Sequence, residues 1–135
     1  MSEENVEVMR KLYSHWEHGD FSPRTDVFDA EVQWVRAGGD LEAGGLAGEW
    51  RGPETEDAFR DWLRAWDNLR IEGEDFRDLG DRVLVLDRHV GMGKRSGIPL
   101  DHQMGQVVTL RNGKIVRWEA YWTREQALEA AGLSE

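Results

Sequence analysis

The sequence predicts an α+β fold with a curved antiparallel sheet, and three observations carry that prediction. Apolar stripes at helical spacing lie mostly in the first half of the chain, and strand-like segments fill the second half. Arg111-Asn112-Gly113 joins two of those segments as a hairpin, with Gly113 at a left-handed position. The resulting order, ααβαββββ with short turns, is that of helices packed on one sheet.

Ser2 is placed to cap a first helix, with Glu3 and Glu4 in its positive first turn. Val6, Met9, Tyr13 and Trp16 then share one face, and Gly19 ends the helix. Ser22-Pro23 reads as a cap and first-turn proline of a short second helix carrying Val27 and Phe28. Residues 31–36 alternate as a strand, with Val32 and Trp34 on one side. Residues 37–49, rich in glycine, read as a mobile loop at a pocket mouth. Pro53 opens a third helix whose stripe is Ala58, Phe59, Trp62, Leu63 and Trp66. Strands follow over 69–78, 82–92, 100–110 and 114–122. Thr123 and Gln126 form a capping box for a short last helix, stopped by Gly132.

At 135 residues the chain fits a single domain, residues 1–135. It has no cysteine, no basic and apolar leader, and no apolar run near the roughly 20 residues of a membrane span. A cytoplasmic protein without membrane contact is expected. The net charge of −10 argues against nucleic acid as a partner, and against strongly anionic substrates unless the pocket holds its own cation. His15 and His18 have metal-ligand spacing but no evident third ligand, so neither a metal nor another cofactor is expected.

Seven tryptophans are many for a domain of this size. Indoles are large and rigid, and each carries an N–H that wants a partner when buried. Their placement predicts a pocket for a flat organic ligand; the other reading is a tryptophan-rich core. A three-residue hairpin loop pairs Leu110 with Lys114 and, counting back, Val108 with Val116, Gln106 with Trp118, Met104 with Ala120 and His102 with Trp122. These residues then share the concave face, and a one-residue slip inverts the assignment on one strand. Asp87 and His89 share a parity on the preceding strand.

Three stretches carry a family resemblance: Tyr13-Ser14-His15-Trp16 with Gly19-Asp20-Phe21; Trp50-Arg51-Gly52-Pro53; and residues 112–122 running into 124–133. With the element order, they make the chain resemble the SnoaL-like branch of the nuclear transport factor 2 superfamily, which includes the ketosteroid isomerases. The resemblance implies a cystatin-like cone. A curved, mixed or antiparallel sheet wraps around three helices from the N-terminal half, with a short C-terminal helix and an apolar pocket at the wide end. It also implies that His89 and Trp122 face the pocket. The isomerase carboxylates are missing: Trp34 stands at the base position, Gln106 at the oxyanion acid and Leu12 at the tyrosine, with Tyr13 adjacent. Ala120 occupies the position of the limonene epoxide hydrolase acid. For cyclase chemistry, Asp87 and Asp101 are candidate acids without a motif match.

The expected function is binding of a small, largely apolar, aromatic or polycyclic molecule by Trp16, Trp34, Phe59, Trp62, Trp66, Met104, Trp118 and Trp122. The alternative is a cofactor-independent isomerase or polyketide-cyclase-type enzyme. In it His89 or His102 is the acid/base, and Gln106 and Tyr13 are hydrogen-bond donors. A third reading is a non-catalytic dimeric interaction module. A homodimer is expected through the convex sheet face, where Val107, Arg117 and Tyr121 otherwise form an amphipathic wall in water.

Overall fold

The computed structural model of the chain describes residues 2–36 and 48–133. The elements are α1 (Ser2–Trp16), β1 (Phe28–Arg36), β2 (Gly48–Arg51), α2 (Pro53–Arg64), β3 (Trp66–Asp78), β4 (Arg82–Gly93), β5 (Pro99–Arg111), β6 (Lys114–Tyr121) and α3 (Arg124–Ala130). One curved six-stranded sheet takes the order β2-β1-β6-β5-β4-β3. All its pairings are antiparallel except β1 with β6, which makes the sheet mixed. The α+β cone is the expected one.

Several local expectations give way. No helix forms at Ser22-Pro23. A single turn there, closed by Val27 and Phe28 N–H groups on the Arg24 carbonyl, feeds straight into β1. Phe28 is β-favouring and pairs with Ile115, so sheet pairing overrides the local helix signal. The glycine-rich stretch read as a loop lies, for residues 37–47, outside the described residues, and its last residues, Gly48 and Glu49, begin β2. Helix α2 stops at Arg64, so Trp66 opens β3 instead of extending the helical stripe.

The β5–β6 hairpin turns on two residues. Asn112 and Gly113 both have positive φ, 53° and 76°, the requirement of a type I′ turn matched to strand twist. Arg111 therefore pairs with Lys114 and Leu110 with Ile115. A bulge at Val116 restores the parity, so Val108 faces Trp118 and Gln106 faces Ala120. The expected pairs are shifted, yet Met104, Gln106, Val108, Trp118 and Ala120 keep the shared face. Ile115 takes the buried place assigned to Val116.

The two faces of the sheet bury different things. Met9, Leu12, Tyr13 and Trp16 of α1 pack on the concave side against Ile71, Val83, Val85, Val108 and Trp118, with Phe59 and Trp62 of α2 beside them. Helix α3 lies on the opposite face, where Ala127, Leu128 and Ala131 cover Leu84, Leu86 and Val107. The C-terminal helix is thus outside the cone, and Val107 is buried instead of lining an open wall. Gly105 allows this approach, because a Cβ there would sit 2.3 Å from the Ala127 Cβ. The Thr123–Gln126 capping box forms, and the end of α3 closes with Gly132 at φ 77° and Leu133 N–H on the Leu128 carbonyl. Among the described residues, no helix is long and apolar enough to cross a membrane.

Candidate functional site

The concave side encloses a cavity of about 460 Å³, inside the size range of small-molecule sites. Its apolar wall is largely aromatic: Trp16 from α1, Phe59 and Trp62 from α2, Trp34 from β1, Trp118 from β6, and Trp122 just beyond β6. Met104, Ile71, Val32 and Ala120 fill between them. The rings lock one another. Trp16 touches Phe59 at 5.3 Å and Trp118 at 5.6 Å between centroids, and Trp34 meets Trp50 of β2 at 5.0 Å. Such aromatic pairs add to area burial and hold the wall rigid.

A buried polar patch interrupts this wall. Asp87 and His89 project from β4, and Gln106 projects from β5 opposite Val85. All three are buried, Asp87 to 1% exposure. A carboxylate at that depth needs donors or a counter-charge. The Tyr13 hydroxyl donates to Asp87 Oδ2 at 2.7 Å, and Gln106 Nε2 reaches Oδ1 at 3.4 Å. Gln106 Oε1 in turn accepts from the Trp118 indole N–H at 2.7 Å. His89 Nε2 lies 3.5 Å from Asp87 Oδ2, too loose to count as a hydrogen bond, and among the described residues both ring nitrogens of His89 lack a partner. Gly73, paired with Asp87 across β3–β4, leaves the space that Tyr13 and Phe76 use, since a Cβ there would come within 3.2 Å of the Tyr13 ring.

The predicted site residues divide accordingly. His89, Gln106, Trp16, Trp34, Phe59, Trp62, Met104, Trp118 and Trp122 line the one cavity. Tyr13, His102 and Trp66 do not. Tyr13 is fully buried behind the wall, its hydroxyl committed to Asp87. His102 stacks on Trp122 at 3.9 Å and donates from Nε2 to the Trp122 carbonyl at 2.7 Å, so it braces the wall from outside. Trp66 sits behind Trp62, edge to face at 5.3 Å. Gln106 lines the cavity, but both ends of its amide are engaged within the protein. Of the four candidate polar residues, His89 alone has buried side-chain atoms without a partner among the described residues.

Sequence reasoning left Asp87 and Asp101 as alternative candidate acids and missed one lining segment. Asp87 is the hub of the polar patch, whereas Asp101 forms a forked pair with Arg88 at an exposed position. The signal for Asp87 was its parity with Val83, Val85 and His89 in a strand whose inner row is otherwise buried and apolar. The segment around Phe21, Pro23 and Thr25 also lines the cavity, as do Arg24, Arg36 and Arg60, because the turn there runs along the opening instead of coiling away from it.

Burial, then the Asp87 charge, then the hydrogen bond to it, hold the Tyr13 phenol well above its ordinary value of about 10. Tyr121 is pushed up to about 12 by burial, then by its hydrogen bond to Glu119. A group whose pKa is raised on folding contributes stability below its unfolded pKa and loses it as pH rises. Unfolding free energy should therefore decline as pH climbs above about 10. Urea melts between pH 8 and 11 should show this decline, shallower in Tyr13→Phe; an identical slope in that variant would remove Tyr13 from the account.

The SnoaL-like domain family matches residues 9–118. No curated protein matches the chain. Among solved structures, Bal32a from a soil-derived mobile gene cassette is 23% identical with a TM-score of 0.74, over 96% of each chain. A candidate SnoaL-like polyketide cyclase from Jannaschia sp. CCS1 is 18% identical with a TM-score of 0.73, over 96% of this chain and 92% of that one. TerC, co-crystallised with polyporic acid, is 21% identical with a TM-score of 0.72, over 96% of this chain and 98% of that one. At these identities the structural likeness speaks for the fold alone. Together with the cone and the family match over most of its length, it leads to one assignment: the chain belongs to the SnoaL-like domain family.

Proposed function

We propose that this protein binds a small, flat, largely apolar molecule, aromatic or polycyclic, in the concave cavity, with one polar atom of the ligand meeting His89. The observation that carries the reading is the coincidence of an aromatic-walled cavity of about 460 Å³ with a buried imidazole whose nitrogens have no partner among the described residues. Buried polar groups without partners are rare in native interiors, and a ligand acceptor or donor would satisfy this one. The co-crystallisation of TerC with polyporic acid agrees with a small organic ligand in this fold. Cytoplasmic action is part of the proposal, as is a homodimer through the outer face beyond α3. There Tyr121 and Arg117 already have partners in Glu119 and Gln33, so a weak dimer is expected by sedimentation.

A second reading is favoured by the nearness of His89 to Asp87. In it the pair moves a proton at a substrate carbon or oxygen, as an isomerase or cyclase without a cofactor would require. Replacing His89 by glutamine would then abolish turnover while leaving ligand affinity within a few-fold.

Titration with a panel of steroids, polyketides and terpenoids should quench indole fluorescence, since most tryptophans stand in or beside the cavity. Trp122→Ala should weaken the best ligand by about 1–3 kcal/mol, the scale of one large buried side chain. No quenching across the panel would remove the binding reading.

A further inference from the structure

We propose that the ligand of this cavity is an aromatic carboxylate and that Arg36 is the residue that receives its charge. The inference rests on the cavity being the ligand site, and narrows it to a chemical class.

Arg36 ends β1 on the cavity wall, one alternation beyond Trp34. Its guanidinium lies 5.4 Å from the ring centroids of both Trp34 and Trp50. Two indoles therefore flank the guanidinium at cation–π distance. The residue is half-buried, and burial alone lowers its pKa from the usual arginine value, the mark of a cation short of water. Among the described residues, no carboxylate pairs with it. The other arginines on the wall already have carboxylate partners. Arg24 holds Asp20 at 2.9 Å, and Arg60 holds Glu56 at 3.0 Å and the Phe21 carbonyl at 2.7 Å. Lys114 also lines the cavity but is exposed to solvent, where its charge is well hydrated.

A half-buried guanidinium beside aromatic rings suits a planar anion that is itself attached to a ring. The carboxylate accepts two parallel N–H bonds from the fork, and the ring continues along the indole wall. A ligand that closes off the remaining solvent would strengthen this pair further. The net charge of −10 works against anions in general, so a dedicated cation inside the cavity is what such a ligand would need.

The test compares naphthalene-2-carboxylate with its methyl ester by calorimetry, in the full chain and in Arg36→Gln, Arg36→Lys and Lys114→Gln. The unaltered protein should bind the acid at least about tenfold more tightly than the ester, the scale of hydrogen bonds to a charged group. Arg36→Gln should bring the ratio close to one with ester affinity little changed, Arg36→Lys should keep part of the preference, and Lys114→Gln all of it. Near-ultraviolet circular dichroism checks that the variants fold. Should Arg36→Gln not fold, a preference that persists in Arg36→Lys and shrinks between low and high salt would support the assignment. Equal binding of acid and ester to the unaltered protein would overturn it while sparing the cavity. Loss of the preference in Lys114→Gln and not in Arg36→Gln would do the same. Failure of both compounds to bind would overturn this proposal, and the wider panel would then decide the binding reading by itself.

Discussion

Replacing Trp118 by alanine is expected to lower the free energy of unfolding by about 3–5 kcal/mol, the cost of removing a large buried aromatic ring. The indole is 8% exposed and lies among the rings of Trp16, Phe28 and Tyr13, at 5.6, 6.2 and 6.4 Å. It also supplies the hydrogen bond that occupies Gln106 Oε1. One factor moderates the loss. Trp118 borders the existing cavity, so the vacated volume opens into space that water can enter, and the cavity penalty is smaller than for a sealed void. The lower half of the range is therefore favoured. Urea unfolding with an unchanged denaturant slope would read it directly. A loss below about 1 kcal/mol would mean that the ring wall carries little of the core's stability.

Gln106→Leu is the second large effect, for a different reason. Leucine nearly conserves the volume, so packing changes little. What is lost is polar satisfaction. The Trp118 N–H is left without an acceptor, and the Asp87 carboxylate keeps Tyr13 as its one hydrogen-bond donor among the described residues. Each buried polar group stranded in this way costs about 1–3 kcal/mol. A double-mutant cycle isolates the cause. Phenylalanine at position 118 has no N–H to strand, so Gln106→Leu should cost less in a Trp118→Phe background, with a coupling of about 0.5–3 kcal/mol. Additive effects would show that the Gln106–Trp118 bond contributes nothing. The same substitution bears on mechanism. Because Gln106 is bound to its neighbours on both sides, its influence on a ligand acts through the position of Asp87 and Trp118, not through direct donation.

How much of this was readable from the sequence depends on the kind of signal. Helical stripes, the Asn112-Gly113 turn, the α3 capping box and the glycine stop are local, and each forms as its chemistry dictates. The concave face could be read through alternation, and it survived a mistaken loop length because the bulge at Val116 returned the parity lost at the turn. The segment at Ser22-Pro23 misled because its cap-and-proline pattern is a local preference, while the β1–β6 pairing that overrides it joins residues far apart in sequence. Likewise, nothing local says that α3 packs outside the cone; the cue is Gly105, whose missing side chain matters only once Ala127 is known to lie above it.

Within the site, residue type and parity picked out the cavity wall well and its polar chemistry less well. Seven of the eight aromatic and sulfur-bearing candidates line the cavity, and Trp66 stands one layer behind. Tyr13 and His102 were the right residue types on elements that reach the cavity wall, yet their polar atoms are committed elsewhere, to Asp87 and to the Trp122 carbonyl. Which hydrogen bonds are already made is a three-dimensional property. A sequence can mark a residue as a donor, but not that its donation is taken. Arg36 shows the converse, since its distinction is the lack of a carboxylate partner among the described residues beside two indoles, one of them brought across from β2.

The most direct test of the central claim is a crystal structure of the protein with the tightest ligand from the fluorescence panel. Ligand density is expected in the cavity between Trp34, Trp62 and Trp122, with a polar ligand atom within about 3.2 Å of a His89 ring nitrogen. A ligand bound outside this cavity, or one inside it that leaves both His89 nitrogens unpartnered, would contradict the account.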